Sequence, residues 1–204
     1  MWLSGEAAFA ENDENDPKPI ISSETAPESS SQTARSFSET AEPISIPLDT
    51  TELDQQLAAP TSHIYLPLIA KPPFMSELEQ AVLDIVNERR AEAGCGPVAG
   101  ERFLQEAAFL HSKDMADNDY FSHTGLHGSR FWERAEQAGY QGFATAENIA
   151  AGYSTAEWVM QEWMESSGHR DNILNCNYTH LGVGYHYDRS APYRHYWTQV
   201  FGRK

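Results

Sequence analysis

The sequence predicts an α+β fold, with helices layered around a small antiparallel sheet and a disordered tail in front. Three observations predict it. Four segments between residues 76 and 166 carry apolar residues at helical spacing. Two aromatic and β-branched segments close the chain on either side of a Ser-Ala-Pro turn at 190–192. The opening stretch lacks the apolar content of a core.

That opening stretch is assigned to a tail, residues 1–74. Residues 1–75 hold 12 acids against 3 bases, with runs such as SSETAPESSSQTARSFSETAEP. Such a segment cannot bury enough apolar surface to offset its ordering entropy. Its first ten residues, MWLSGEAAFA, resemble the end of a secretory signal with a small-x-small finish at Ala8–Phe9–Ala10. A basic n-region is missing, so either the true start lies upstream or the match is chance. HIYLPLIAKPPF (63–74) interrupts the tail as a docking strand or an apolar linker end, since prolines on both sides disfavour a helix. Residues 75–204 form the globular domain, about 130 residues and large enough for one core.

Within it, SELEQAVLDIVNERRAEAG (76–94) is the clearest helix. Leu78, Ala81, Val82, Ile85 and Val86 share a stripe, Ser76 and Glu79 form a capping box, and Gly94 stops it. A second helix covers 101–117, with Leu104, Ala107, Ala108, His111 and Met115 on one side. The third covers 129–140, buries Phe131, Trp132 and Ala135, and ends at Gly139. The fourth covers 154–166, capped by Ser154 with Glu157 and apolar through Trp158, Val159, Met160 and Trp163. A strand is expected at Asn148–Gly152, and a hairpin from 180–188 and 193–202.

The net charge of −16 argues against a nucleic-acid partner, which needs clustered Lys and Arg, and reads as solubility. No apolar run reaches the ~20 residues of a membrane-spanning helix. The two cysteines, Cys95 and Cys176, form no CxxC pair, which excludes a zinc knuckle or thioredoxin-type motif. They are either a disulfide, implying an oxidising compartment, or two buried thiols.

Three short strings stand out between these elements: FSHTG (121–125), AENIAAG (146–152) and SSGHRDNIL (166–174). They carry His123, Glu147 and His169 on segments read as turns or strand edges, where binding groups tend to sit. Two imidazoles and a carboxylate are the ligand set of an open zinc site, or a general acid–base group. The alternative for each is a cap or a packed ring. No HExxH helix and no GxSxG elbow is present. His111 reads as a core ring, and His180, His186 and His195 as half-buried sheet residues.

Taken in order, LDIVNERRAEAG, LQEAAFLHSKDMADNDYFSH, AENIAAG, WMESSGHRDNIL, LGVGYHY and WTQVFG resemble the CAP superfamily (the SCP domain), closest to its bacterial branch. The resemblance spans about Ser76 to Gly202 and implies a three-layer α–β–α sandwich. It also implies a cleft of two His and two acids able to hold a divalent metal, zinc first. The first His maps to His123, the first acid to Glu147 and the second His to His169. The second acid falls at Ser166, with Glu165 one step and ~100° away on the helix. Ala146 stands where the family has Gly, confining that backbone to negative φ. The positions of Cys95 and Cys176 are compatible with a bridge. The resemblance further implies a protein that is secreted or attached to the cell surface. It would be a monomeric binding module for a lipid, glycan or protein ligand. The alternative is a metal-dependent, peptidase-like hydrolase of envelope or extracellular material.

Overall fold

The structure, a computed structural model, describes residues 17–27 and 74–204. Helix α1 (Glu77–Glu92) starts at the expected capping box. The Ser76 hydroxyl accepts from the Glu79 amide at 3.3 Å, and Glu79 accepts from the Ser76 amide at 2.7 Å. Its buried stripe runs through Val82, Leu83 and Val86 and ends on Arg90, which is fully buried. The Arg90 guanidinium donates to the carbonyls of Gly96, Ile173, Asn175 and Tyr178 at 2.8–3.0 Å. The Cys95–Cys176 disulfide joins the same two stretches across 81 residues of sequence. In the chain-entropy account a loop of that size contributes about 4 kcal/mol.

Helix α2 (Arg102–Asp117) begins at Glu101, whose carboxylate accepts from the Phe103 and Leu104 amides. Helix α3 (Phe131–Ala138) ends at Gly139, as its sequence predicts. Helix α4 (Ala156–Glu165) is capped one residue later than expected. Its cap is therefore Thr155, which accepts from the Trp158 amide, and the Ser154–Glu157 box does not form. A further helix, α5 (Ser167–Ile173), replaces the expected turn around His169. The backbone leaves helical geometry at Ser166 (ψ 124°) and re-enters at once, so Gly168 lies inside a helix and does not end one.

The strands are β1 (Ile20–Thr25), β2 (Ala99–Gly100), β3 (Phe143–Ala151), β4 (His180–Tyr187) and β5 (His195–Arg203). Their order is β1-β3-β5-β4-β2. All neighbours are antiparallel except the short β2–β4 pair, so the sheet is not purely antiparallel. The strand expected from Asn148 begins five residues earlier, at Phe143, and Glu147 sits in its middle. Ala146 is paired on both sides, with Thr25 and Phe201, and needs no positive φ. The larger correction is β1. Residues 20–25 fall in the stretch assigned to the disordered tail, yet they pair with β3 over six residues. Pairing holds them because Ile20 and Ile21 pack on core clusters and Pro19 lies over Gly152. Gly152 has φ +93°, and a Cβ there would crowd Pro19. The rest of the tail, including the signal-like 1–10 and the apolar segment at 63–73, lies outside the described residues.

The layers follow from strand alternation. On β5, Tyr196 and Val200 pack with α2 and α3, and Thr198 bonds Ser112 of α2. Trp197 and Phe201 pack with α1 and α4, and Gln199 reaches Met160 of α4. The result is the three-layer α–β–α sandwich. Helix α2 lies so close to β4 that a Cβ at Gly182 or Gly184 would overlap its backbone, at Leu104–Gln105 and Ala108–Phe109.

Arg90→Ala would leave four carbonyls short of a donor around the disulfide. Stability measured by urea unfolding is expected to fall by about 3 kcal/mol or more. A loss below about 1 kcal/mol would show that the guanidinium is dispensable.

Candidate functional site

The site is built on the middle of β3, where successive side chains point to opposite faces. Glu147 points toward α3 and has no exposed surface. One carboxylate oxygen accepts from Arg134 of α3 at 2.7 Å, and the other meets Nδ1 of His123 at 2.8 Å. A carboxylate only accepts, so His123 carries its proton on Nδ1. Arg134 also donates to the carbonyls of His123 and Ser129, which pins the loop between α2 and α3 around the pair. Burial pushes the Glu147 pKa up, but Arg134 and His123 outweigh it and hold the carboxyl below its ordinary value.

Asn148 points the other way. Its amide donates to Gln199 Oε1 at 3.0 Å and to the His169 carbonyl at 3.3 Å, and its oxygen accepts from Asn172 at 2.9 Å. These bonds anchor α5 under the sheet. His169 is 4% exposed, with Nδ1 on the Ser166 hydroxyl at 2.8 Å and no partner for Nε2. Burial lowers its pKa; the nearby Ser22 backbone opposes this, and the charge on His123 adds to it.

Strand β1 completes the arrangement. The Ser22 hydroxyl meets Nε2 of His123 at 2.9 Å. Glu24 is ion-paired with Arg130 and lies 3.8 Å from Nδ1 of His123. Ser23, on the opposite face, sits where a Cβ on Gly168 of α5 would be.

The sequence-derived trio is thus only partly joined. His123 and Glu147 are in contact, while His169 flanks them from the other face of β3. Among the described residues, the donor atoms within 4.8 Å of one another belong to Glu24, His123 and Glu147. Ser166 serves His169 directly. Glu165 is exposed, takes a bond from Gln161, and lines a separate groove between α1 and α4. Glu24, Ser22, Arg130 and Arg134 were missed, because no local pattern marks residues brought in from a tail strand and a helix flank. His111 is a packed ring as expected, with Nε2 on the Ser122 carbonyl at 2.9 Å. It also feels the charges of Glu147 and Arg134, so it backs the site.

The family model described as "CAP: Cysteine-rich secretory protein family" matches residues 83–201. The chain belongs to this family. A Bacillus subtilis relative described as uncharacterized protein YkwD is 36% identical over 167 residues, covering 80% of this chain and 63% of its own length. A second, described as uncharacterized membrane protein YlbC, is 36% identical over 123 residues, covering 60% of this chain and 34% of its own. The chain therefore spans less than two thirds of the length of these relatives. An extracellular SCP-domain protein from Bacillus anthracis is 35% identical with TM-score 0.56, over 62% of this chain and 40% of that one. An outer surface protein from Borrelia burgdorferi shares the fold at 18% identity and TM-score 0.56, over 61% and 91% of the two chains. No helix among the described residues of this CAP domain is long and apolar enough to cross a membrane.

The buried imidazoles make the CAP domain acid-sensitive. Burial lowers the His111 pKa from 6.5 to about 4. The unfolded chain therefore binds the extra proton first, and stability is full above pH 6.5 and falls as pH drops toward 4. The expected loss is about 3 kcal/mol by urea unfolding, with His169 adding in the same direction. Below 4.5, protonating Glu147 removes more. His111→Gln is expected to flatten most of the slope above pH 4; an unchanged slope would rule out this origin.

Proposed function

We propose that this CAP domain is an extracellular binding module whose polar cleft at the β3 edge takes a lipid, glycan or protein ligand. One observation carries the reading: Glu24 Oε2, Arg130 Nε, Arg134 Nε and His169 Nε2 are buried around one strand pair without a well-formed hydrogen bond, with His123 Nδ1 3.8 Å from Glu24 Oε2 and the Ser22 backbone near His169. Each such atom costs about 1–3 kcal/mol if unsatisfied, so their concentration suits a site that meets polar ligand groups. The Cys95–Cys176 bridge supports an oxidising, extracellular setting, as does the description of the Bacillus anthracis relative as an extracellular protein.

A metal-dependent hydrolase acting on envelope or extracellular material is the second reading, favoured by the Glu24–His123–Glu147 donor set. Two carboxylates and an imidazole fit a divalent ion, zinc first. Both carboxylates already carry an arginine partner, so weak binding is expected. A bound zinc would supply Lewis acidity and a more acidic water.

Native mass spectra of the purified chain, incubated in turn with lipids, glycan fragments and short peptides, are expected to show one class retained at 1:1. His169→Ala should weaken that retention, and retention of no class would overturn the module reading. Zinc titration followed by calorimetry tests the second reading. Uptake abolished by His123→Ala would support it, and no uptake by the parent chain would remove it while leaving the first intact.

A further inference from the structure

Resting on the binding-module reading, we propose that the outer edge of β3 is a recognition site for an extended peptide of another protein. The peptide would carry a hydroxyl residue and, two places on, a carboxylate. Residues 20–25 are the resident strand that competes for the site.

Strand β1 is attached to the sheet as an added edge strand. Its six residues pair only with β3, from Ile20↔Ala151 to Thr25↔Ala146. In sequence β1 ends at Thr25 and α1 begins only at Glu77, so no short connection to a neighbouring element fixes its seat. Without β1, the row of N–H and C=O groups along β3 would be open to another strand, the geometry of peptide recognition by strand addition. Main-chain bonds would supply affinity and alternate side chains the selectivity.

The side-chain readout is already visible in the resident. Ser22 reaches His123 at 2.9 Å, and Glu24, on the same face, pairs with Arg130. On the other face, Ser23 lies against Gly168, where a Cβ would stand 2.7 Å from its hydroxyl oxygen. The missing side chain at Gly168 is thus what makes room for Ser23. The resident strand also fits imperfectly. It leaves the site's Arg130 Nε buried without a hydrogen-bond partner and brings its own Glu24 Oε2 no closer than 3.8 Å to His123 Nδ1. A peptide whose carboxylate also reached Arg130 Nε would gain what β1 forgoes.

The test uses a fluorescein-labelled peptide of sequence PKPIISSETAP, residues 17–27, followed by anisotropy on the full chain. In a strand only alternate N–H groups face the neighbour, so replacing two consecutive residues removes a ladder donor whatever the register parity. The Ser22→Pro, Ser23→Pro double variant should bind the peptide at 1:1 and at least about tenfold more tightly than the parent chain, whose tethered strand competes. A peptide with Ala in place of Glu24 should bind more weakly, and a scrambled one not at all. If the double variant fails to fold, hydrogen exchange on the parent chain decides. Millimolar peptide should then speed exchange in 20–25 while residues 146–151 stay protected.

Equal affinity for parent and variant, or no binding and no exchange change, would overturn the proposal. So would a strand-swapped dimer of the variant that excludes the peptide by light scattering. Peptide failure with a lipid or glycan retained in the native spectra would leave the module reading standing; failure of every class would remove both.

Discussion

A carboxylate with no access to water is the constraint around which this domain is arranged. Glu147 lies in the middle of a β-strand, where burial alone would neutralise it. It stays ionised because Arg134 and His123 reach it from α3 and from the loop before α3. That requirement fixes the loop, since Arg134 also clasps the His123 and Ser129 carbonyls. Removing either partner would leave a buried charge, so the loop conformation and the ionisation state are one property.

The neighbouring residue extends the same logic through the sheet. Strand alternation sends Glu147 to one helical layer and Asn148 to the other. One dipeptide therefore ties α3 and α5 to the same rung of β3. His123 and His169 are brought near each other by this pairing of faces, although they never touch.

Much of this was legible in the sequence. The capping box at Ser76 and Glu79, the stripe of α2, the closing hairpin and the three polar strings all depend on local spacing, which a single chain displays. Spacing alone left His123 and Glu147 as separate polar turns, and only the family resemblance carried by those strings implied one cleft; the two are in contact at 2.8 Å. What local spacing could not display was pairing across distance. IISSET is short, does not alternate and is embedded in polar sequence, so only its partner β3 makes it a strand. Glu24, Arg130 and Arg134 belong to the site for the same non-local reason. Arg90 did leave a signal: it lies four residues after Val86 on a buried stripe, where a charge needs several acceptors. The expected cap at Ser154 failed by one residue because two adjacent hydroxyl residues compete and the helix takes the second.

The two glycines of β4 give the molecule a stiff side and an adjustable side. With no side chain at Gly182 or Gly184, α2 rests on the sheet backbone to backbone, without a compressible layer between them. The ledge that carries His123 is thus referenced to the central strands and has little room to shift. At the opposite margin, β1 is held by one ladder and a few side chains. Side-chain changes along β1 would be absorbed at that one ladder. The glycine seat would tolerate almost none, because a Cβ at Gly182 or Gly184 would push α2, and with it the loop that carries His123, off the sheet.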